Sequence, residues 1–201
     1  SNVASHGGGF SAPFAFCADS CSFVNNSAKH GGGIWSPDFG TESVVRSCVF
    51  TGNTASGSDG KGGGVMIDIH AGGGGITVQS CTFAGNRAGP RLSADDVRTG
   101  GGMCLRSRVA AVLSCLFTSN IARDGIGGGL HTLLKNPNNA YKVASCSFTG
   151  NRADKYGGGI SIETDGHRRV NIAVESCLFR SNNATTNGGG GIYCARDGAT
   201  V

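Results

Sequence analysis

The motif that decides the fold lies near the middle of the chain and reads Ser114-Cys115-Leu116-Phe117-Thr118-Ser119-Asn120-Ile121-Ala122. Its fixed positions, Ser-Cys-x-Phe-x-x-Asn-x-Ala, recur without exception in six copies, which begin at Ser20, Ser47, Ser80, Ser114, Ser145 and Ser176. Self-similarity of this kind is typical of a solenoid, in which each repeat buries its apolar face only by stacking on its neighbours.

Three glycines and an apolar residue follow each copy after a spacer of variable length. The triplets begin at Gly31, Gly62, Gly100, Gly127, Gly157 and Gly189, and another begins at Gly7, ahead of the first copy. The residues before Gly7 resemble those before Gly31, so we expect the chain to open and to end in the middle of a repeat. The glycines predict a corner where the backbone needs positive φ or a close approach.

Apolar residues alternate with a period of two inside each repeat, which predicts short β-strands. Val170, Ile172 and Val174 alternate, and the parity then shifts before Cys177 and Phe179, as expected where two strands meet at a corner. A third strand follows the glycines. We therefore predict an all-β fold, a right-handed parallel β-helix of about six to seven coils over residues 1–201. We expect this single domain to be an uncapped fragment of a longer array.

Stacking turns each fixed motif position into a ladder of identical side chains along the solenoid axis. The phenylalanines should stack inside the coils, and the asparagine amides should hydrogen-bond from coil to coil. The three predicted ladders are Phe23, Phe50, Phe83, Phe117, Phe148 and Phe179; Asn26, Asn53, Asn86, Asn120, Asn151 and Asn182; and Cys21, Cys48, Cys81, Cys115, Cys146 and Cys177.

The cysteine ladder allows two interpretations. The thiols either act as small buried hydrophobic groups or form disulfides between neighbouring coils, since the coil spacing falls in the range that a disulfide can bridge. Three further cysteines, Cys17, Cys104 and Cys194, lie outside the ladder. No Cys-x-x-Cys pair or Cys/His cluster is present, so we predict neither a metal site nor a bound cofactor.

Composition argues against several other classes of function. The formal net charge is only +4, from 17 basic and 13 acidic side chains, which gives no footprint for nucleic acid. No apolar run reaches the roughly 18 residues that a membrane span requires, and no signal peptide stands at the start. The sequence therefore favours neither a nucleic-acid partner nor a membrane span in this segment.

Three groups of residues are candidates for functional sites. The only local cluster with acidic, basic and imidazole groups comprises Glu163, Asp165, His167, Arg168 and Arg169, which makes it the weak candidate for polysaccharide chemistry. A row that follows the first apolar residue of each glycine strand should face outward and could bind a partner through Trp35, His131 and Tyr193. Two sequons predict N-glycosylation at Asn25 and Asn183.

The pairing of Phe-x-x-Asn with a glycine element resembles the repeat of the chlamydial polymorphic membrane proteins, which also occurs in surface or secreted proteins of other bacteria, algae and protists. Phe-x-x-Asn matches in all six copies, whereas the third glycine stands where that family usually has alanine. The resemblance implies a pectin-lyase-like β-helix displayed outside the cell and often used for adhesion.

We therefore expect a structural or adhesive segment of an extracellular or cell-surface protein rather than an enzyme. Its partners would be flanking coils or end-to-end copies, together with glycans or cell-surface proteins. The alternatives are a polysaccharide-active lyase or hydrolase and a glycan- or protein-binding module.

Overall fold

The computed structural model describes residues 1–37, 42–57, 60–69, 74–89, 99–107, 109–134, 140–164, 171–186 and 188–196. These residues form 25 short β-strands in four parallel sheets. No helix that could cross a membrane is found among them.

The first sheet collects the strands that follow the glycine triplets, and the second collects those that precede each Ser-Cys pair. The first sheet contains β1 (Phe10–Ser11), β5 (Ile34–Ser36), β9 (Val65–Asp68), β13 (Met103–Ser107), β17 (Leu130–Leu134), β21 (Ile160–Thr164) and β25 (Ile192–Arg196). The second contains β2 (Cys17–Asp19), β6 (Ser43–Arg46), β10 (Ile76–Gln79), β14 (Ala110–Leu113), β18 (Ala140–Ala144) and β22 (Asn171–Glu175).

The third sheet is centred on the motif phenylalanines, and the fourth ends at the motif alanines. The third contains β3 (Ser22–Val24), β7 (Val49–Thr51), β11 (Thr82–Ala84), β15 (Leu116–Thr118), β19 (Ser147–Thr149) and β23 (Leu178–Arg180). The fourth contains β4 (Ser27–Ala28), β8 (Thr54–Ala55), β12 (Arg87–Ala88), β16 (Ile121–Ala122), β20 (Arg152–Ala153) and β24 (Asn183–Ala184).

Each coil contributes one strand to every sheet, and each strand pairs in parallel with its counterpart in the next coil. Phe83, for example, pairs with Phe50 on one side and with Phe117 on the other. The predicted parallel β-solenoid is thus confirmed, with six or seven strands in each sheet. The prediction of three strands per coil was incomplete, because the two-residue strands of the fourth sheet are too short to show an alternating pattern.

The core runs along the axis and is lined by one or more rows from each sheet. The four central motif phenylalanines are fully buried, and the six motif rings stack with centroids 4.6 to 5.1 Å apart and planes within 4° of parallel. Burying each ring contributes roughly 2 to 3 kcal/mol. Aliphatic rows complete the core, among them Val45, Val78, Val112 and Val143 of the second sheet.

Each of the three positions in a triplet requires glycine for its own structural reason. The first always has positive φ, between +58° and +72°, which most side chains avoid. At the second, a Cβ on Gly101 would lie 2.4 to 2.6 Å from backbone atoms of Gly128 and Ile121. At the third, a Cβ on Gly102 would lie 2.6 Å from the Gly129 oxygen and 3.1 Å from the Asn120 carboxamide carbon.

Two further corners of each coil require left-handed backbone. The motif serines all have φ between +50° and +55°, and their side chains are exposed: Ser20, Ser47, Ser80, Ser114, Ser145 and Ser176. The residue before each ladder asparagine also has positive φ, and this position holds Asn25, Gly52, Gly85, Ser119, Gly150 and Ser181. Short side chains at both corners let the chain turn without clashes.

Candidate functional site

The asparagine ladder forms a continuous chain of hydrogen bonds inside the solenoid. The Asn120 Oδ1 accepts from the Asn86 backbone N–H and from Asn86 Nδ2, both at 3.0 Å. The Asn120 Nδ2 in turn donates to the Asn151 Oδ1 and to the Phe83 carbonyl oxygen, both at 2.9 Å. The side chain is fully buried, so these contacts satisfy polar groups that water cannot reach.

The same pattern continues towards both ends of the solenoid. Asn2 donates to the Asn26 Oδ1 from its backbone N–H at 2.9 Å and from Nδ2 at 3.0 Å, and so extends the ladder by one coil. Asn182 accepts from Asn151 and donates to the Phe148 carbonyl oxygen. The similarity of Asn2–His6 to a later repeat is evident from the sequence, but Asn2 was not predicted to belong to the asparagine ladder.

The ladder cysteines are thiols, and their hydrogen bonds to the backbone stabilise the corner between the second and third sheets. The Cys48 Sγ accepts the backbone N–H of Cys21 at 3.4 Å and donates to the Arg46 carbonyl oxygen at 3.1 Å. Cys81, Cys115 and Cys146 repeat both contacts or their equivalents. Each thiol therefore joins two neighbouring coils without a covalent bond.

Burial keeps the thiols of Cys48 and Cys177 protonated near neutral pH. It raises the pKa of Cys48 to about 11 and also raises the pKa of Cys177. Since the thiolate is the form that attacks disulfides and binds metal ions, a raised pKa makes a cysteine unreactive near neutral pH. Cys48 and Cys177 thus behave as small hydrophobic groups, whereas the hydrogen bond with Cys115 lowers the pKa of Cys81 and of Cys146.

The row predicted to face outward lies on one register line, but the prediction that it faces solvent is wrong for its central members. Trp35, Met66, Cys104, His131, Ser161 and Tyr193 pair in sequence along the outer side of the first sheet. His131, Cys104 and Ser161 are fully buried, and Met66 is nearly so. His131 therefore cannot serve as an exposed binding residue.

The physical reason is a second row, formed by the residues that directly precede the triplets. His6 packs against Trp35 with ring centroids 4.5 Å apart, and Tyr156 stacks on Tyr193 at the same distance. Thr99 and Ile126 occupy equivalent positions in the middle coils and are themselves buried. Only the two end members, Trp35 and Tyr193, keep partial exposure. Burial raises the pKa of Tyr193, and electrostatic interactions with Tyr156 and Glu163 raise it further.

A groove of about 250 Å³ opens on the first sheet beside Trp35. Its lining includes His6, His30, Lys61, Asp68 and Arg106 together with Trp35. The Arg106 Nη1 contacts the Asp68 Oδ2 at 2.9 Å, and both side chains are largely buried, with 20% and 14% exposed. Sequence reasoning missed this ion pair, because its partners are 38 residues apart and meet only through the strand register.

Of the candidate catalytic cluster, only Glu163 lies within the described residues. Glu163 is half-buried at the outer side of β21 and lies on the register line of Asp68, Arg106 and Leu133. Asp68 and Glu163 are thus three coils apart, about 14 Å at the strand spacing, too far for a pair of glycosidase carboxylates. Asp165, His167, Arg168 and Arg169 lie outside the described residues. Within the described residues, no group of three or more His, Cys, Asp and Glu could hold a metal ion.

Both asparagines of the predicted glycosylation sequons are exposed. Asn25 occupies the left-handed corner before Asn26, and its backbone N–H donates to the Thr51 carbonyl oxygen at 2.9 Å. Asn183 lies in β24, with its backbone N–H bonded to the Asn151 carbonyl oxygen. The two sites lie at opposite ends of the described solenoid.

Comparison with family models gives one match, to the Chlamydia polymorphic membrane protein repeat, over residues 20–37, 145–163 and 176–195. Each matched segment starts at a motif serine and runs through the next glycine triplet. Curated proteins and solved structures give no significant match. The three matched segments are therefore similar to the Chlamydia polymorphic membrane protein repeat, and the unmatched copies share their register in the solenoid.

Proposed function

We propose that this chain is a structural or adhesive segment of an extracellular or cell-surface protein. The observation that carries the proposal is the unbroken register of all four sheets through every coil. The segments between the strands vary in length, and the spacers that follow the motif alanines range from two residues after Ala28 to eleven after Ala88. Spacers of such different lengths leave the ladders undisturbed, which is the property of a rigid spacer that carries variable loops.

The repeat family supports the location. Repeats of this type imply a surface or outer-membrane protein. Partners of two kinds fit the proposal, namely further coils stacked at the ends of the solenoid and glycans or proteins met at the surface.

Location is tested on the cells that produce the protein. Antibodies raised against the folded chain should label intact cells as strongly as permeabilised ones. Labelling that appears only after permeabilisation would contradict the proposal.

Adhesion is tested with microspheres that carry the purified chain. The coated spheres should attach to cells or matrix in a saturable manner, and excess soluble chain should compete. If the chain is instead an enzyme, soluble oligosaccharides should appear when it is incubated with polysaccharides. Product release that disappears in the Glu163→Gln variant would overturn the structural proposal.

The groove beside Trp35 favours a second candidate, a glycan-binding module. A partly exposed indole provides a stacking surface for a sugar ring, and the neighbouring Asp68–Arg106 pair offers an acceptor and donors for hydroxyl groups. In this function the groove recognises the sugar and the remaining coils present it.

The test is retention of the chain on a panel of immobilised polysaccharides. Trp35→Ala should abolish retention, whereas Tyr193→Ala, at the other end of the same row, should leave it unchanged. Retention that survives Trp35→Ala would exclude the groove as the binding site.

A further inference from the structure

The outer face of the third sheet differs from the other faces of the solenoid. Two rows of side chains point outward from it, one on each side of the phenylalanine stack. They are the proximal row, Ser22, Val49, Thr82, Leu116, Ser147 and Leu178, and the distal row, Val24, Thr51, Ala84, Thr118, Thr149 and Arg180. Arg180 is the only charged residue among the twelve.

Exposed apolar side chains are concentrated on this face. Val24, Val49, Leu116 and Leu178 are 38% to 55% exposed, and they make up four of the nine large exposed apolar residues in the described part of the chain. Four of the other five lie in the terminal coils, and the fifth is Val109. The neighbouring second sheet instead carries exposed ion pairs, Arg46 with Asp19 and Lys142 with Glu175. An exposed apolar patch on one face only is typical of an interaction surface.

The proximal row alternates between small hydroxyl residues and branched apolar residues. From the first coil to the sixth, its side chains are Ser, Val, Thr, Leu, Ser and Leu. Val49 and Leu116 thus stand between smaller neighbours on adjacent coils, and Leu178 stands beside Ser147 at the end of the row. The row therefore presents knobs and holes that alternate at the coil spacing.

This alternation makes the face complementary to itself in one orientation. A two-fold axis along the strands would reverse the coil order, so that the first coil of one copy faces the sixth of the other. The facing pairs are then Ser22 with Leu178, Val49 with Ser147, and Thr82 with Leu116, each formed twice. Every pair joins one small hydroxyl residue to one branched apolar residue.

We propose that this face binds a second copy of the chain in the antiparallel orientation. Charge supports the arrangement, because the two Arg180 side chains come to opposite ends, each against Val24 of the other copy. In the distal row Thr51 faces Thr149, and each hydroxyl can both donate and accept a hydrogen bond. The inference is independent of the surface role proposed above.

The size of the face predicts a weak association for this chain. Six strands at about 4.8 Å and three residues at about 3.3 Å give a patch of roughly 290 Å². Stable complexes bury about 800 Å² per partner, so the pair belongs with transient interfaces. Because each coil adds about 50 Å² to the contact area, the affinity between the two copies should rise with the number of coils.

The test is sedimentation equilibrium of the whole chain at concentrations up to about 1 mM. The mass should rise from 20.3 kDa towards twice that value. Val49→Glu should weaken the association at least about tenfold, because it places a carboxylate in the interface opposite Ser147, with no cation to pair with it. Adding Ser147→Lys should restore it, since the lysine faces the glutamate of the other copy and lies three coils from that of its own chain.

Two controls separate this interface from other kinds of association. Val49→Glu with Thr118→Lys carries the same charges but does not align them, so it should stay monomeric. All variants should keep the thermal unfolding temperature of the parent, because the substituted side chains point outward. A parent that remains at 20.3 kDa, or an association that Val49→Glu does not change, would overturn the proposal. Failure of Ser147→Lys to rescue would exclude the antiparallel register.

Discussion

At the scale of single residues, the fold depends on polar groups that are buried and fully satisfied. The ladder asparagines are the main case, because each carboxamide oxygen receives two donors from the preceding coil. An apolar side chain of similar size cannot replace them. It would remove the only acceptor of two buried N–H groups, and each such loss costs about 1 to 3 kcal/mol.

Asn120→Leu should therefore lower the free energy of unfolding by about 2 to 6 kcal/mol, despite the greater apolarity of leucine. Chemical denaturation of a dilute sample measures this difference. The matched control is Thr118→Leu, which places the same side chain on the exposed face and should change stability by less than about 0.5 kcal/mol. Equal stability of the two variants would mean that the ladder contributes nothing.

The left-handed corner before each ladder asparagine allows a comparison inside one molecule. Ser119 has φ +54° and Gly150 has φ +63° at equivalent positions of neighbouring coils, and a Cβ at Gly150 would meet only the Ser119 hydroxyl at 3.6 Å. Ser119→Gly should stabilise the protein by up to about 1 kcal/mol, and Gly150→Ser should destabilise it by a similar amount. Melting temperatures that move in the opposite directions would refute the argument.

The raised pKa of Cys48 makes stability depend on alkaline pH. The folded thiol holds its proton up to about pH 11, whereas in the unfolded chain it ionises near its ordinary value of 9.0. Its contribution is therefore fully present below about pH 9 and is lost as the pH rises towards 11. Urea unfolding at several pH values should show a smaller alkaline loss for Cys48→Ala than for the parent. Identical losses would show that Cys48 does not carry the effect.

At the scale of strands and corners, much of the fold could be predicted from the sequence, because each fixed residue of the motif recurs in six copies. Phe83 and Asn86 could be assigned to the interior from spacing alone. The roles of the individual glycines could not, because Gly100, Gly101 and Gly102 read identically and only the approach of other coils separates them. The burial of His131 was also missed, since its cover comes from residues that precede other triplets.

The central glycine of a triplet should not tolerate a side chain, even though its backbone does not have positive φ. Gly101→Ala would place a methyl group 2.4 to 2.6 Å from three backbone atoms, so we expect the free energy of unfolding to fall by several kcal/mol. Gly188→Ala is the matched control, because a Cβ there meets nothing within 4 Å and the backbone needs no positive φ. Thermal unfolding of both variants measures the difference. A stable Gly101→Ala protein would show that the coils can separate at this point.

At the scale of the whole molecule, the ladders join successive coils into one body. Phenylalanine rings and asparagine amides connect each coil only to its two neighbours, as in other solenoids. We infer that these contacts make the inner coils unfold together. Such cooperativity is what a rigid structural or adhesive segment requires.

Native-state hydrogen exchange measures whether the inner coils unfold together. The backbone N–H groups of Asn53, Asn86, Asn120 and Asn151 donate to the carboxamide of the next coil at 2.9 to 3.0 Å. We expect these four protons to exchange most slowly, with one shared free energy equal to that of global unfolding. Faster exchange than in the surrounding strands, or free energies that differ from coil to coil, would contradict it.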